Sequence, residues 1–151
     1  MRVQKAFTLA ELIVTVVMLG ALAFVAVPRL SFGLRQGCQA EITAWKMVTD
    51  LRRTRSLAIL HAATHPRGFA LNIKTTGHGT EYEIVDLGSQ TAIDRHVVDG
   101  DVSISGRRKF EFSPLGALKE KNAPTFTVAA AGRTFRIEVT PSTGAVRCVE
   151  N

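Results

Sequence analysis

FTLAELIVTVVMLGALAFVAVPRL, residues 7–30, decides the reading of this chain. From Leu12 to Val27 it carries no charge, and Thr15 is the only polar side chain. About 24 residues at ~1.5 Å per residue span ~36 Å, enough for the apolar core of a bilayer. Both sides of the segment are equally apolar, as a lipid-facing helix requires and a half-buried soluble helix does not. Arg2 and Lys5 precede it, which places the short N-terminal flank in the cytoplasm and the bulk of the chain beyond the membrane.

The flanks separate this segment from an ordinary secretory signal. A signal peptide has its small-residue cleavage site after the apolar core. Here the small residue, Ala6, comes before it, and the far end reads Pro28-Arg29-Leu30. The apolar segment is therefore expected to stay in the mature chain. Glu11 breaks its pattern. A carboxylate within the first turns of a membrane helix is costly and calls for a partner. Cleavage after Ala6 would make Phe7 the new terminus, and the free amine of a neighbouring chain's Phe7 could pair with Glu11. Pro28 removes one helical hydrogen bond and is expected to kink the helix.

Beyond a softer zone containing Gly33 and Gly37, apolar residues recur at helical spacing. Ile42, Trp45, Val48 and Leu51 form the expected core stripe, and the helix is expected to end near Ala62, before His65-Pro66. Period-two patterns with turn residues between them follow. They comprise Phe69/Leu71/Ile73, Tyr82/Ile84, Val102/Ile104, Phe110/Phe112, Phe126/Val128/Ala130, Phe135/Ile137/Val139 and Val146/Cys148. The last three should form a meander. The economical architecture is α+β, a long N-terminal helix packed on antiparallel sheet. Val48, Phe126, Phe135 and Ile137 join Ile42 and Trp45 as expected core.

The chain has 151 residues, 46% apolar and 21% charged, which fits one modest folded domain plus an attachment element. The net charge is +6, with Arg52, Arg53 and Arg55 the densest basic cluster. An adjacent membrane helix argues against a cytosolic nucleic acid as the partner. The two cysteines, Cys38 and Cys148, match no metal spacing. Cys38 lies one turn before Ile42, and an extracytoplasmic setting makes Cys38–Cys148 a candidate disulfide. His61 and His65 are four apart, but Pro66 follows and no acidic ligand is adjacent in sequence, so no metal is expected. No nucleophile elbow, P-loop or dinucleotide fingerprint occurs, and neither an enzyme activity nor a cofactor is indicated.

Ala6-Phe7-Thr8-Leu9-Ala10-Glu11-Leu12, set against the apolar run, resembles the processing site of type IV pilins and type II secretion pseudopilins. Ala6 stands where that family usually has Gly. Three further stretches resemble the minor pseudopilin domain of the H-type (GspH) subunits and the FimT/FimU-like minor pilins. Phe112-Ser113-Pro114-Leu115-Gly116 is similar to its "F-x-P-x-G" element. Leu51 to Ile59 is similar to its helix end, with Thr54 in place of Ala. Residues 133–147 are similar to its last hairpin. The resemblance implies a cytoplasmic leader at 1–6, removed by a prepilin peptidase between Ala6 and Phe7, with N-methylation of Phe7. It implies a transmembrane helix at 7–30, its amphipathic continuation at 31–62, and a β-rich periplasmic domain at 63–151. Glu11 is implied as the assembly carboxylate. The implied role is a minor pseudopilin anchored by a single pass in the inner membrane. Its implied partners are other major and minor pseudopilins or pilins and the inner-membrane assembly platform. The alternatives are a minor type IV pilin in pilus biogenesis or DNA uptake, and a lone membrane-anchored binding domain.

Overall fold

Thr8 starts the helix by accepting the backbone N–H of Glu11 on its hydroxyl at 3.3 Å in the computed structural model. That satisfies one of the donors orphaned at a helix N-terminus. Helix α1 runs Leu9–Leu60. The structure describes residues 8–77 and 79–151, and helix side chains up to residue 26 and from residue 38. Ala6 and Phe7 lie outside the described residues. Position 28 is helical, and the expected kink concerns a side chain outside the described ones. The chain divides into two compact units, Met1–Arg35 and Gln36–Asn151.

In the second unit α1 ends at Leu60, one further turn follows before Pro66, which bars continuation of the helix, and Gly68, at φ +76°, turns the chain into the first strand. Eight strands follow: β1 Phe69–Thr76, β2 Gly79–Asp86, β3 Ala92–Val97, β4 Ser103–Gly106, β5 Lys109–Phe112, β6 Thr125–Ala130, β7 Arg133–Val139 and β8 Val146–Glu150. They form two antiparallel sheets, ordered β3-β2-β1-β5 and β4-β6-β7-β8. The β6-β7-β8 meander is in register with Phe126 opposite Ile137, and Ile137 opposite Cys148. The fold is thus α+β, helix against two antiparallel sheets.

One core joins the three layers. Phe69, Leu71, Ile73, Tyr82, Phe110 and Phe112 enter from the first sheet, and Phe126, Val128, Phe135, Ile137 and Val139 from the second. The Phe110 and Phe126 rings meet at 5.2 Å between the sheets. Such a pair adds about 0.5–1.5 kcal/mol beyond the area it buries. From α1 come Ala40, Ala44, Met47, Val48, Leu51 and Ala58, all fully buried.

That buried face corrects the stripe expected from the sequence. Val48 and Leu51 belong to it, but Ile42 is 60% exposed and Trp45 49% exposed. At 100° per residue, Ile42 and Trp45 lie on the opposite side of the helix from Ala40, Ala44 and Leu51. The sheets select small side chains because alanines let the helix backbone approach closely. Thr54 follows the same logic. It is fully buried, and its hydroxyl donates to the Asp50 carbonyl at 2.6 Å, so no polar atom is stranded.

The disulfide expectation is corrected for the same reason. Cys38 shares the helical phase of Ile42 and is exposed, whereas Cys148 is half-buried against the core, and both are free thiols. Strand β3 was not expected from the sequence. Its inward positions are polar: Asp94 stands opposite Ile84 and His96 opposite Tyr82. Its apolar residues, Ile93 and Val97, are exposed, which inverts the usual alternation.

Candidate functional site

In the first unit, Leu9–Ala26 is long and apolar enough to cross a membrane, and none of it is buried. Leu12, Ile13, Val16, Val17, Leu19 and Phe24 are all more than half exposed. Glu11 stands in the first turn, and its backbone N–H bonds to the Thr8 carbonyl at 3.1 Å as well as to the hydroxyl. The sequence signal for this is Thr8-Leu9-Ala10-Glu11, the pattern of a capping box. Reading residues 7–30 as a membrane segment alone hides it.

In the second unit, the helix meets the first sheet through a buried polar clasp. Tyr82 donates its hydroxyl to Asp50 Oδ2 at 2.7 Å, and both residues are buried. Burial, then the bond to Asp50, pushes the phenol strongly up, so it stays a donor. His96 Nε2 lies 3.7 Å from Asp50 Oδ2 and 3.5 Å from Asp94 Oδ2, and Arg53 reaches the same Asp94 oxygen at 2.6 Å. These contacts fix the rotation of α1 about its axis and hence which face is left uncovered. That outer face carries Cys38, Ile42 and Trp45.

The Phe112-to-Gly116 element forms a junction of three segments. Arg55 on α1 donates through Nε to the Gly116 carbonyl at 3.2 Å. Gly144, in the β7–β8 turn, packs so closely that a Cβ there would lie 2.1 Å from that carbonyl oxygen. Gly116 and Gly144 both have positive φ, at +79° and +65°. The motif residues therefore position a loop, and they leave Leu115 at its tip 90% exposed. On the second sheet, Arg133 bridges Glu41 of the helix and Glu150 of β8 at 2.9 and 2.7 Å.

Among the described residues no group of three or more His, Cys, Asp or Glu side chains converges as a metal site. No protein-family model matches the sequence. No curated protein matches it either. Solved structures do match. The type IV minor pilin FimU of Pseudomonas aeruginosa (strain PAO1), in crystal forms P21 and P65, aligns at TM-score 0.59 and 15% identity. The alignment covers 72% of this chain and 87% or 91% of the FimU chain. The fold is pilin-like, matching that of FimU. The pilin-like architecture comprises the helix, the two sheets and their order along the chain, and it provides the frame for the exposed helix face and the motif loop.

Proposed function

We propose that this chain is a minor subunit of a pilin-type filament, held in the inner membrane by α1 until it is assembled. The observation that carries the reading is the segment Leu9–Ala26, exposed on every side, with a single carboxylate in its first turn. A bilayer satisfies the apolar side chains but not the charge of Glu11. Removal of residues 1–6 would leave a positively charged amine on Phe7, still basic after N-methylation. In a staggered pair of helices that amine neutralises Glu11 of the neighbour. Processing by a prepilin peptidase thus creates the assembly partner. Ile42 and Trp45, apolar and uncovered, fit a chain whose helix is closed over by neighbouring subunits.

Of the two filament classes, our first reading is the type II secretion pseudopilus, in a tip complex with other minor pseudopilins, although the motif stretches are shared by H-type subunits and FimT/FimU-like minor pilins. The fold likeness to FimU supports a second reading, a minor type IV pilin acting in pilus biogenesis or DNA uptake. Two measurements test the proposal. Mass spectrometry should find a mature chain that begins at N-methylated Phe7, and a chain that keeps Met1 overturns processing. Glu11→Ala should insert, be cleaved and fold, yet fail to co-purify with partner subunits. Wild-type recovery in the complex would overturn the pairing. In a deletion strain, loss of secretion with normal piliation assigns the pseudopilus, and the reverse assigns the pilus.

A further inference from the structure

Past Leu60 the backbone keeps helical geometry for another turn. His61 N–H bonds to the Leu57 carbonyl at 3.0 Å and His65 N–H to the His61 carbonyl at 2.7 Å. The two imidazoles therefore stand one turn apart and meet edge-on at 5.6 Å. Phe69, at the start of β1, lies against both rings, at 6.2 Å from His61 and 5.4 Å from His65. These three rings wall a cavity of about 400 Å³, to which Leu57 and Ile93 add aliphatic carbon. That volume lies at the lower end of the ~300–1,000 Å³ typical of small-ligand sites.

The acidic neighbour that sequence does not place beside the histidines arrives from the end of β2. Asp86 lines the cavity and is 5% exposed. Its Oδ1 accepts the Gly88 N–H at 2.9 Å, and its Oδ2 accepts the Ser89 hydroxyl at 2.7 Å and the Ser89 N–H at 3.3 Å. His65 Nε2 lies 3.5 Å from Oδ2, and Thr64 Oγ1 sits 2.8 Å from the other ring nitrogen. Burial pulls the Asp86 carboxyl up, but the bonds from Gly88 and Ser89 outweigh it and hold the group below its ordinary value. Among the described residues no lysine or arginine pairs with it. Other acids on these sheets are paired: Glu83 with Lys74 and Arg95, Asp94 with Arg53, and Glu111 with Lys109 and Lys119.

We propose that this cavity binds a cationic group on an apolar stem, an ammonium or guanidinium, with its charge at Asp86 and its stem against Phe69 and the two imidazoles. A buried carboxylate whose hydrogen bonds come from Gly88 and Ser89, with His65 as its one ionisable neighbour among the described residues, attracts a cation more strongly than one already paired with lysine or arginine. The aromatic wall favours a cation further and accepts its methylene groups. The same chemistry serves a lysine or arginine side chain presented by a partner protein and a free organic amine.

The test follows the ring resonances of His61, His65 and Phe69 in the full chain in zwitterionic nanodiscs. n-Butylammonium should shift them saturably, and pentan-1-ol, of similar length and no charge, should not. Asp86→Asn should weaken n-butylammonium by about tenfold or more, as loss of a charged hydrogen-bond partner does. Ile93→Trp, at a partly exposed position, should block the cavity without touching the carboxylate. Unshifted Phe126 and Phe135 rings certify the fold of each variant, and Ile93→Trp decides the matter if Asp86→Asn fails that check. Tighter binding of blocked lysine or arginine than of n-butylammonium identifies a protein side chain as the occupant, and the reverse order a free amine. Equal shifts with pentan-1-ol, undiminished binding in either folded variant, or no saturable shift would overturn the proposal. The last is what a cavity already neutralised by a protonated His65 would give.

Discussion

Two glycines separate the cost of backbone strain from the cost of close packing. Gly132 and Gly144 both have positive φ, at +80° and +65°. A Cβ on Gly132 would meet nothing within 4 Å, whereas one on Gly144 would lie 2.1 Å from the Gly116 carbonyl oxygen and 3.0 Å from Arg55 Cδ. Gly132→Ala should therefore cost only the left-handed backbone term, about 1–2 kcal/mol. Gly144→Ala should cost that term and also displace the Gly116 carbonyl from Arg55 Nε, now 3.2 Å away. Losing that bond costs about 1–2 kcal/mol more, so Gly144→Ala should destabilise by roughly 3 kcal/mol against roughly 1.5 for Gly132→Ala. Urea unfolding of the full chain in detergent micelles, followed by far-ultraviolet circular dichroism, measures both. The comparison needs no absolute stability, because both variants share one unfolded-state change. If the two alanines cost the same within about 0.5 kcal/mol, the three-segment junction contributes nothing and the reasoning fails.

A chain comprising only Gln36–Asn151 should fold and unfold cooperatively, since every buried core residue from Ala40 onward lies inside it; a broad, non-cooperative melt would contradict this. Cys38 should react with a maleimide at the rate of an exposed thiol and Cys148 more slowly, because burial, then Glu150 and Glu41, push the Cys148 thiol up; equal rates, or a Cys38–Cys148 peptide in a non-reducing map, would contradict it. Glu83 is held below its ordinary value of 4.5 by its bond to Lys74, which outweighs burial, and by Arg95. The stability it contributes is complete above that ordinary value and is lost as pH falls through the lower folded value. Glu83→Gln should therefore flatten the acid-side slope of stability below about pH 4.5, measured by thermal melts across pH; an unchanged slope would mean that the ion pairs carry no linkage.

Much of the fold was legible because strands with one buried face write their alternation plainly. Phe69/Leu71/Ile73 and Phe126/Val128/Ala130 point inward in the structure as their spacing predicts. Strand β3 was illegible because its inward side chains, Asp94 and His96, serve the polar clasp around Asp50 and Tyr82. Hydrophobic periodicity cannot register a strand whose inward side chains are polar. Of the cavity, His61 and His65 were visible as a pair, but Asp86 reaches them only through the pairing of β1 with β2, where Phe69 stands opposite Asp86. Spacing along the chain holds no trace of that meeting.

The helix was misread for a more general reason. Its two faces compete for the label of core, and side-chain size favours the wrong one. Ile42 and Trp45 are larger and more apolar than Ala40 and Ala44, yet the alanines are fully buried. A helix seated closely on sheet needs small residues at the seam; Ala40 and Ala44 supply them, and Leu51, in the same phase, with Met47 and Val48 beside it, fills the remaining volume. Large apolar groups left outside are costly in a free monomer. Their presence becomes intelligible if the monomer is not the working state. The same inference holds independently for Leu9–Ala26, whose apolar side chains find no cover within the chain. Each unit thus presents uncovered apolar surface of its own, Leu9–Ala26 in the first and Ile42 with Trp45 in the second, and under the proposed function a bilayer or neighbouring subunits would cover both, with Glu11 as the charge that would distinguish the two covers.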